Sequence, residues 1–244
     1  MGDPRTANAD VPVELPVSMR SRYGYDISWP QCDSPFPAGD AGYSIIGVTG
    51  GRPLTHNRCL AEEWAWVQQT GAGGGLYINL ATAVPGDPRG MTGPAGDCTV
   101  AELACQAWNY NANNVNDAVA YAKAAGADAP MWWVDVEGAN RWSPYQDLNA
   151  YAVKAAVETL KKHGIASGVY STLRYWREIT GNAQLGLPVW IASSTNQLGA
   201  PGWCTPAKAF TGGDVWLVQA LPGQFDTNWA CDALANDPAK AFRF

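Results

Sequence analysis

Eight short runs of β-branched and aromatic residues recur along this chain, most of them separated by segments of helical periodicity. They are YGYDIS (23–28), YSIIGVTG (43–50), GLYINLAT (75–82), PMWWVDVE (130–137), IASGVYST (165–172), LPVWIASS (187–194), DVWLVQAL (214–221) and QFDTNWAC (224–231). Strands alternating with helices over roughly 200 residues predict one α/β domain, a (β/α) TIM-like barrel. The helical segments are 59–71, closed by Gly71; 99–126, with a break expected in its Asn-rich middle; 143–164, with Pro144 in its first turn and Lys-Lys-His-Gly at its end; and 173–181. The last three strand runs have little helical pattern between them. The expected barrel is therefore irregular, with some outer helices missing or short, and spans 23–244.

Residues 1–22 are Pro-rich and polar, without the apolar centre of an export signal, and are expected to be a flexible leader or an expression remnant. No run approaches the roughly 20 apolar residues of a membrane span, so no membrane insertion is expected.

The fourth run carries the chemistry. In MWWVDVEG (131–138) two carboxylates sit two residues apart in an apolar strand, where side chains alternate between faces, so Asp135 and Glu137 point the same way. Burying two acids costs several kcal/mol each unless they are paired, hydrogen-bonded or neutralised. In barrels of this kind the reacting groups stand at the C-terminal ends of the strands. That rule adds Asp26, near the end of the first strand, and Asp226, in the eighth, giving four acids at one mouth. Crowded carboxylates raise one another's pKa, so one stays protonated as an acid while another is ionised, the division of labour used in glycoside hydrolysis. Taken singly, Asp26 and Asp226 also read as turn residues making local hydrogen bonds.

Composition narrows the ligand. Charged residues are 16% of the chain and the formal net charge is −6, which argues against nucleic acid as a partner. Twelve Trp and ten Tyr supply faces suited to sugar rings, or else core. With two His and no Cys-x-x-Cys pair, neither a metal site nor a cofactor is expected. The six Cys, at 32, 59, 98, 105, 204 and 231, read as three disulfides and place the protein outside the cytosol, secreted or associated with a cell wall. If sequence neighbours staple local loops, the pairs are Cys32 with Cys59, Cys98 with Cys105, and Cys204 with Cys231. GAGGG (71–75) precedes a strand rather than a helix and is assigned to a turn. His163 closes a helix, where the dipole favours it.

Taken in order, YGYDISWPQ, WWVDVEG, GVYSTLRYW, PVWIASS, VWLVQ and FDTNWA resemble the successive strand signatures of glycoside hydrolase family 25, the Chalaropsis-type lysozymes, over roughly Tyr23 to Cys231. Asp26 with Ser28, Asp135 with Glu137, Tyr170 with Ser171, Trp190 to Ala192 and Asp226 with Asn228 occupy the family's positions. The resemblance implies cleavage of the β-1,4 bond between N-acetylmuramic acid and N-acetylglucosamine in peptidoglycan by a monomer. Glu137 would be the general acid. Asp135 would assist the substrate's 2-acetamido group or attack directly, while Asp26 and Asp226 would position that group and tune both pKa values. Tyr170, Trp190, Trp133, Gln219 and Asn228 would contribute to the sugar subsite, with Trp133 one layer below the acids. WPQC after the first strand, WLVQA in the seventh and the long 83–97 loop depart from the family pattern and mark a divergent branch. The alternatives are a silent wall-binding barrel and a hydrolase of another exported polysaccharide.

Overall fold

The computed structural model describes residues 21–37, 41–193, 195–220 and 225–244, so the leader, except its last two residues, lies outside the described residues. Strands β1 (Tyr23–Ile27), β2 (Tyr43–Gly47), β3 (Gly73–Asn79), β4 (Met131–Asp135), β5 (Ala166–Ser171), β6 (Val189–Ala192), β7 (Val215–Ala220) and β8 (Asp226–Ala230) close a barrel. They follow one another around it in chain order, and β8 returns to β1. Helices α1 (Leu60–Thr70), α2 (Leu103–Ala124), α3 (Gln146–Lys162) and α4 (Leu173–Thr180) cover part of its outside. Among the described residues, the connection from β6 to β7 has only 3-10 turns, at Ala200–Trp203 and Pro206–Lys208. The barrel is thus irregular, as expected.

One strand departs from the (β/α) pattern. β8 runs antiparallel to both neighbours, pairing Asp26 with Asp226 across β1 and Asn228 with Gln219 across β7. Asp226 accordingly stands at the start of its strand rather than at the C-terminal end, and reaches the same mouth because the strand is reversed.

The two-residue period of the strands sorts the core into two layers. On β4, Met131 and Trp133 point inward to a cluster with Tyr43, Ile45, Trp190 and Leu217, while Trp132, Val134 and Val136 join the layer beneath the helices. Trp133 is wholly buried and fits because Gly168 faces it. A Cβ there would lie 2.4 Å from the indole. The same logic corrects the turn assigned to GAGGG: Gly73 to Gly75 lie inside β3. A Cβ on Gly74 would stand 2.4 Å from Trp64, and one on Gly73 would stand 2.7 Å from Phe244. These glycines admit aromatic rings, and the turn is left to Gly71, the left-handed cap of α1 at φ 69.

The break expected in the Asn-rich helix is absent, since α2 runs unbroken through Asn109, Asn111 and Asn114. Asn is a poor helix former because its amide competes for backbone partners. Here those partners belong to neighbouring loops. Asn109 donates to the Gly96 carbonyl at 2.8 Å and accepts from the Ala95 N–H at 2.8 Å. Asn113 reaches the carbonyls of Arg89 and Thr92, both at 2.9 Å. Asn114 holds the Leu54 N–H at 2.7 Å and the Asn79 carbonyl at 3.1 Å. The 83–97 loop is therefore pinned, with one helical turn at Pro88–Met91, a two-stranded ribbon at 92–97 and the Cys98–Cys105 disulfide. Cys32 bonds Cys59, and Cys204 bonds Cys231, which are the pairs expected of sequence neighbours.

One acid lies buried outside the mouth. Glu63 is wholly buried on α1; Oε2 accepts from the Asn57 amide at 2.6 Å, and among the described residues Oε1 has no partner. Burial pushes its pKa from 4.5 up to about 7, with Glu62 adding to the rise and the Asn57 bond opposing it. Between those values the unfolded chain has released this proton and the folded one has not, so stability is lost as pH rises through the window. The difference is roughly 3 kcal/mol at pH 7 and above. Glu63→Gln, which mimics the protonated form, is expected to raise the melting temperature at pH 8 by roughly 5–10 °C and to change little at pH 4.5. Calorimetry at the two pH values checks this, and equal shifts at both would exclude it.

Candidate active site

A cavity of about 250 Å³ occupies the mouth, and Asp26, Asp135, Glu137 and Asp226 all line it, together with Tyr170, Trp190 and Gln219. Two sets of hydrogen bonds hold two of the acids.

The first set fixes Asp26. Gln219 Nε2 donates to its two carboxylate oxygens at 3.1 and 3.2 Å, and Asn228 Nδ2 donates at 2.6 Å. Both amides are oriented from behind. The Tyr170 hydroxyl donates to Gln219 Oε1 at 2.8 Å, and the Trp190 indole N–H donates to Asn228 Oδ1 at 2.7 Å. With each amide oxygen occupied, each amide N–H is turned toward Asp26. The second set fixes Asp135, whose Oδ2 accepts from Asn79 Nδ2. Asn79 is itself clamped by Thr49, whose hydroxyl donates to Asn79 Oδ1 at 2.7 Å and accepts from the Asn79 N–H at 3.1 Å. Among the described residues, Asp135 Oδ1 is buried and has no partner.

Crowding and burial raise all four acids. Burial pushes Asp26 up to about 7, with Asp226 and then Glu137 adding repulsion and the two amides opposing. Asp135 is raised by burial and then by Glu137, against the pull of Asn79. Glu137 is raised by burial and then by Asp226, and Asp226 by burial. Four carboxyls that resist ionisation in one mouth favour an arrangement in which one of them holds a proton and can act as an acid. Among the described residues, the Glu137 carboxyl makes no hydrogen bond; its backbone carbonyl is held by the Trp142 indole at 2.7 Å.

The aromatic residues divide by depth. Trp133 has no exposed surface and does not line the cavity, so it forms the floor beneath the acids and offers no face to a sugar. Trp190 is 1% exposed, with its ring 4.4 Å from Tyr170 and 5.8 Å from Trp133, and its polar edge orients Asn228. Gln219 and Asn228, expected at the sugar subsite, are buried and hold Asp26. The exposed aromatic at the rim is Trp29, 47% accessible, whose indole edge sits over Gly51. Trp29, Asn79, Thr49 and Tyr77 were not singled out from the sequence. The WPQC departure marks Trp29, whereas Asn79 and Thr49 carry no local signal.

A barrel with one reversed strand thus gathers four acids at a single mouth. Residues 103–201 match the family model described as Lysozyme-like protein 1. Among curated proteins, the chain is 30% identical over 158 residues to Counting factor 45-1 of Dictyostelium discoideum, covering 58% of this chain and 51% of that protein. It is 31% identical over 90 residues to Probable GH family 25 lysozyme 2 of the same organism, covering 36% of this chain and 42% of that one. The chain thus spans about half, or less, of the curated relatives it matches. Among solved structures, a family GH25 lysozyme from Aspergillus fumigatus superposes with a TM-score of 0.59 at 15% identity, over 90% of this chain and 98% of that one. Over these spans the chain is similar to lysozyme-like proteins, and its fold is similar to that of a family GH25 lysozyme.

Proposed function

We propose that this protein is an exported lysozyme that cleaves the β-1,4 bond between N-acetylmuramic acid and N-acetylglucosamine in peptidoglycan. The observation that carries this reading is the unequal hydrogen bonding of two neighbouring acids: Asp135 is clamped by Asn79 with one oxygen left free, whereas among the described residues the Glu137 carboxyl makes no hydrogen bond. Glu137 donates its proton to the glycosidic oxygen as the bond breaks. Asp135 Oδ1, the unpartnered oxygen, receives the N–H of the 2-acetamido group or attacks the sugar carbon. Asp26, held by two amides, and Asp226 keep the protons of the cluster shared, and Trp29 at the rim offers a stacking face for a sugar ring. The three disulfides suit an exported protein acting on a wall. Among the described residues no helix is long and apolar enough to cross a membrane.

The test is digestion of purified cell walls, with products read by mass spectrometry. New reducing ends on muramic acid support the reading; failure to release any from several wall types excludes it. Asn79 supplies a finer check. Its bond lowers the Asp135 pKa, so Asn79→Ala raises that pKa, and the acidic limb of the pH–activity profile should move to higher pH. A uniform loss of rate with an unmoved profile would mean that Asn79 serves packing alone.

A further inference from the structure

A second cavity, of about 240 Å³, lies on the same end of the barrel as the mouth, between the 83–97 loop and the segment that leads into α3. Pro85, Leu103, Pro144, Tyr145 and Leu148 give it apolar walls, and Arg141 is its charged residue. Tyr145 is 63% exposed, so among the described residues part of this apolar lining is presented to solvent.

Both walls are fixed before anything binds. From α2, buried Gln106 accepts from the Gly86 N–H at 2.7 Å and donates to the Thr99 and Val100 carbonyls at 2.7 and 3.0 Å. From α3, buried Asn149 accepts from the Ser143 N–H at 2.9 Å and the Thr82 hydroxyl at 2.6 Å. The Thr82 N–H closes onto the Arg141 carbonyl at 2.9 Å.

Arg141 is the unusual member. It is exposed, and among the described residues its guanidinium has no hydrogen bond or ion pair. The acid beside it, Asp87, is already taken by Arg89 through two bonds, at 2.9 and 2.6 Å. Arg141 is thus left without a pairing acid among the described residues, in a chain whose net charge is −6. Arg141 follows Glu137 by four residues, which bounds its backbone to within about 14 Å of that of the proposed acid.

We propose that this groove receives the stem peptide carried by the lactyl group of the muramic acid ring, with Arg141 pairing one of its free carboxylates and the apolar walls covering its aliphatic side chains. This rests on the lysozyme reading. The ring next to the cleaved bond bears that peptide, and a groove within a few residues' reach of the acid is where an extended stem would run. A pre-formed wall lowers the ordering cost of binding so short a chain. A bare glycan such as chitin carries no carboxylate and gains nothing from Arg141.

The test has two arms, both on the full chain. In the first, wild type and Arg141→Gln digest walls with their peptides intact and walls stripped of peptide by an amidase. The ratio of kcat/KM on intact to stripped glycan should fall about tenfold in the variant, the size of one charge-assisted bond. In the second, a synthetic stem peptide is titrated into Glu137→Gln protein and followed by NMR. Shifts should cluster at Arg141, Tyr145 and Leu148, and they should vanish when the peptide carboxylates are amidated or Arg141 is replaced. An unchanged ratio, or peptide shifts scattered elsewhere, overturns the groove. If the wild type digests neither substrate, the lysozyme reading falls, and the titration still decides whether the groove takes a peptide.

Discussion

Replacing Glu137 by Gln is expected to slow release of reducing ends from cell walls by about 10²–10⁴-fold, the usual contribution of a positioned general acid. The amide keeps the shape of the side chain and removes the proton. Folding should not suffer, because among the described residues Glu137 makes no side-chain hydrogen bond to lose, and it stands among three other acids with raised pKa values. Removing one like charge from that group relieves the rest, so the variant should melt no lower than the parent at pH 7. Retention of more than a tenth of the rate would remove Glu137 from the role of acid. Loss of rate with an equal loss of folded protein would place it in the structure instead.

Trp190→Ala should give the largest loss of stability, about 3–5 kcal/mol for emptying the site of a buried aromatic, or a fall in melting temperature of roughly 10 °C or more. Its ring fills the barrel between Tyr170 and Trp133. Its indole N–H also orients Asn228, which in turn holds Asp26. Trp190→Phe separates the two roles: most of the ring volume stays while the N–H is lost. Asn228 is then free to turn, and its bond tends to lower the Asp26 pKa. The Phe variant should therefore retain most of the stability yet show a shifted pH–activity profile. A Phe variant with an unmoved profile would reduce Trp190 to packing.

The strands and the four acids were legible because both obey a short period. In MWWVD, parity alone sends Trp133 inward with Asp135 and sends Trp132 and Val134 outward, and the structure keeps that division. What was illegible depends on partners distant in sequence. Asn79 is one polar residue at the end of an apolar strand, and its partners, Thr49 and Asp135, lie 30 and 56 positions away. The glycines of β3 read as a turn because glycine is rare in strand interiors, yet the rings of Trp64 and Phe244 demand them. The asparagines of α2 read as a break because their intrinsic preference opposes a helix. Their amides instead serve loops that fold against that helix, so tertiary bonds outweigh local preference.

The reversal of β8 also decides how such a barrel can be combined with other modules. Ala230, at the end of β8, donates its N–H to the carbonyl of Arg22, which leads into β1, and Arg22 pairs with Asp232 just after the strand. The strand pair that closes the barrel thus receives the chain and returns it on the face opposite the mouth. Arg243 nearby bonds to Gly74 at the start of β3, on that same face. A wall-anchoring or partner domain spliced ahead of β1 or after the closing segment would be carried behind the barrel, leaving the cleft clear for a polymer that extends in both directions.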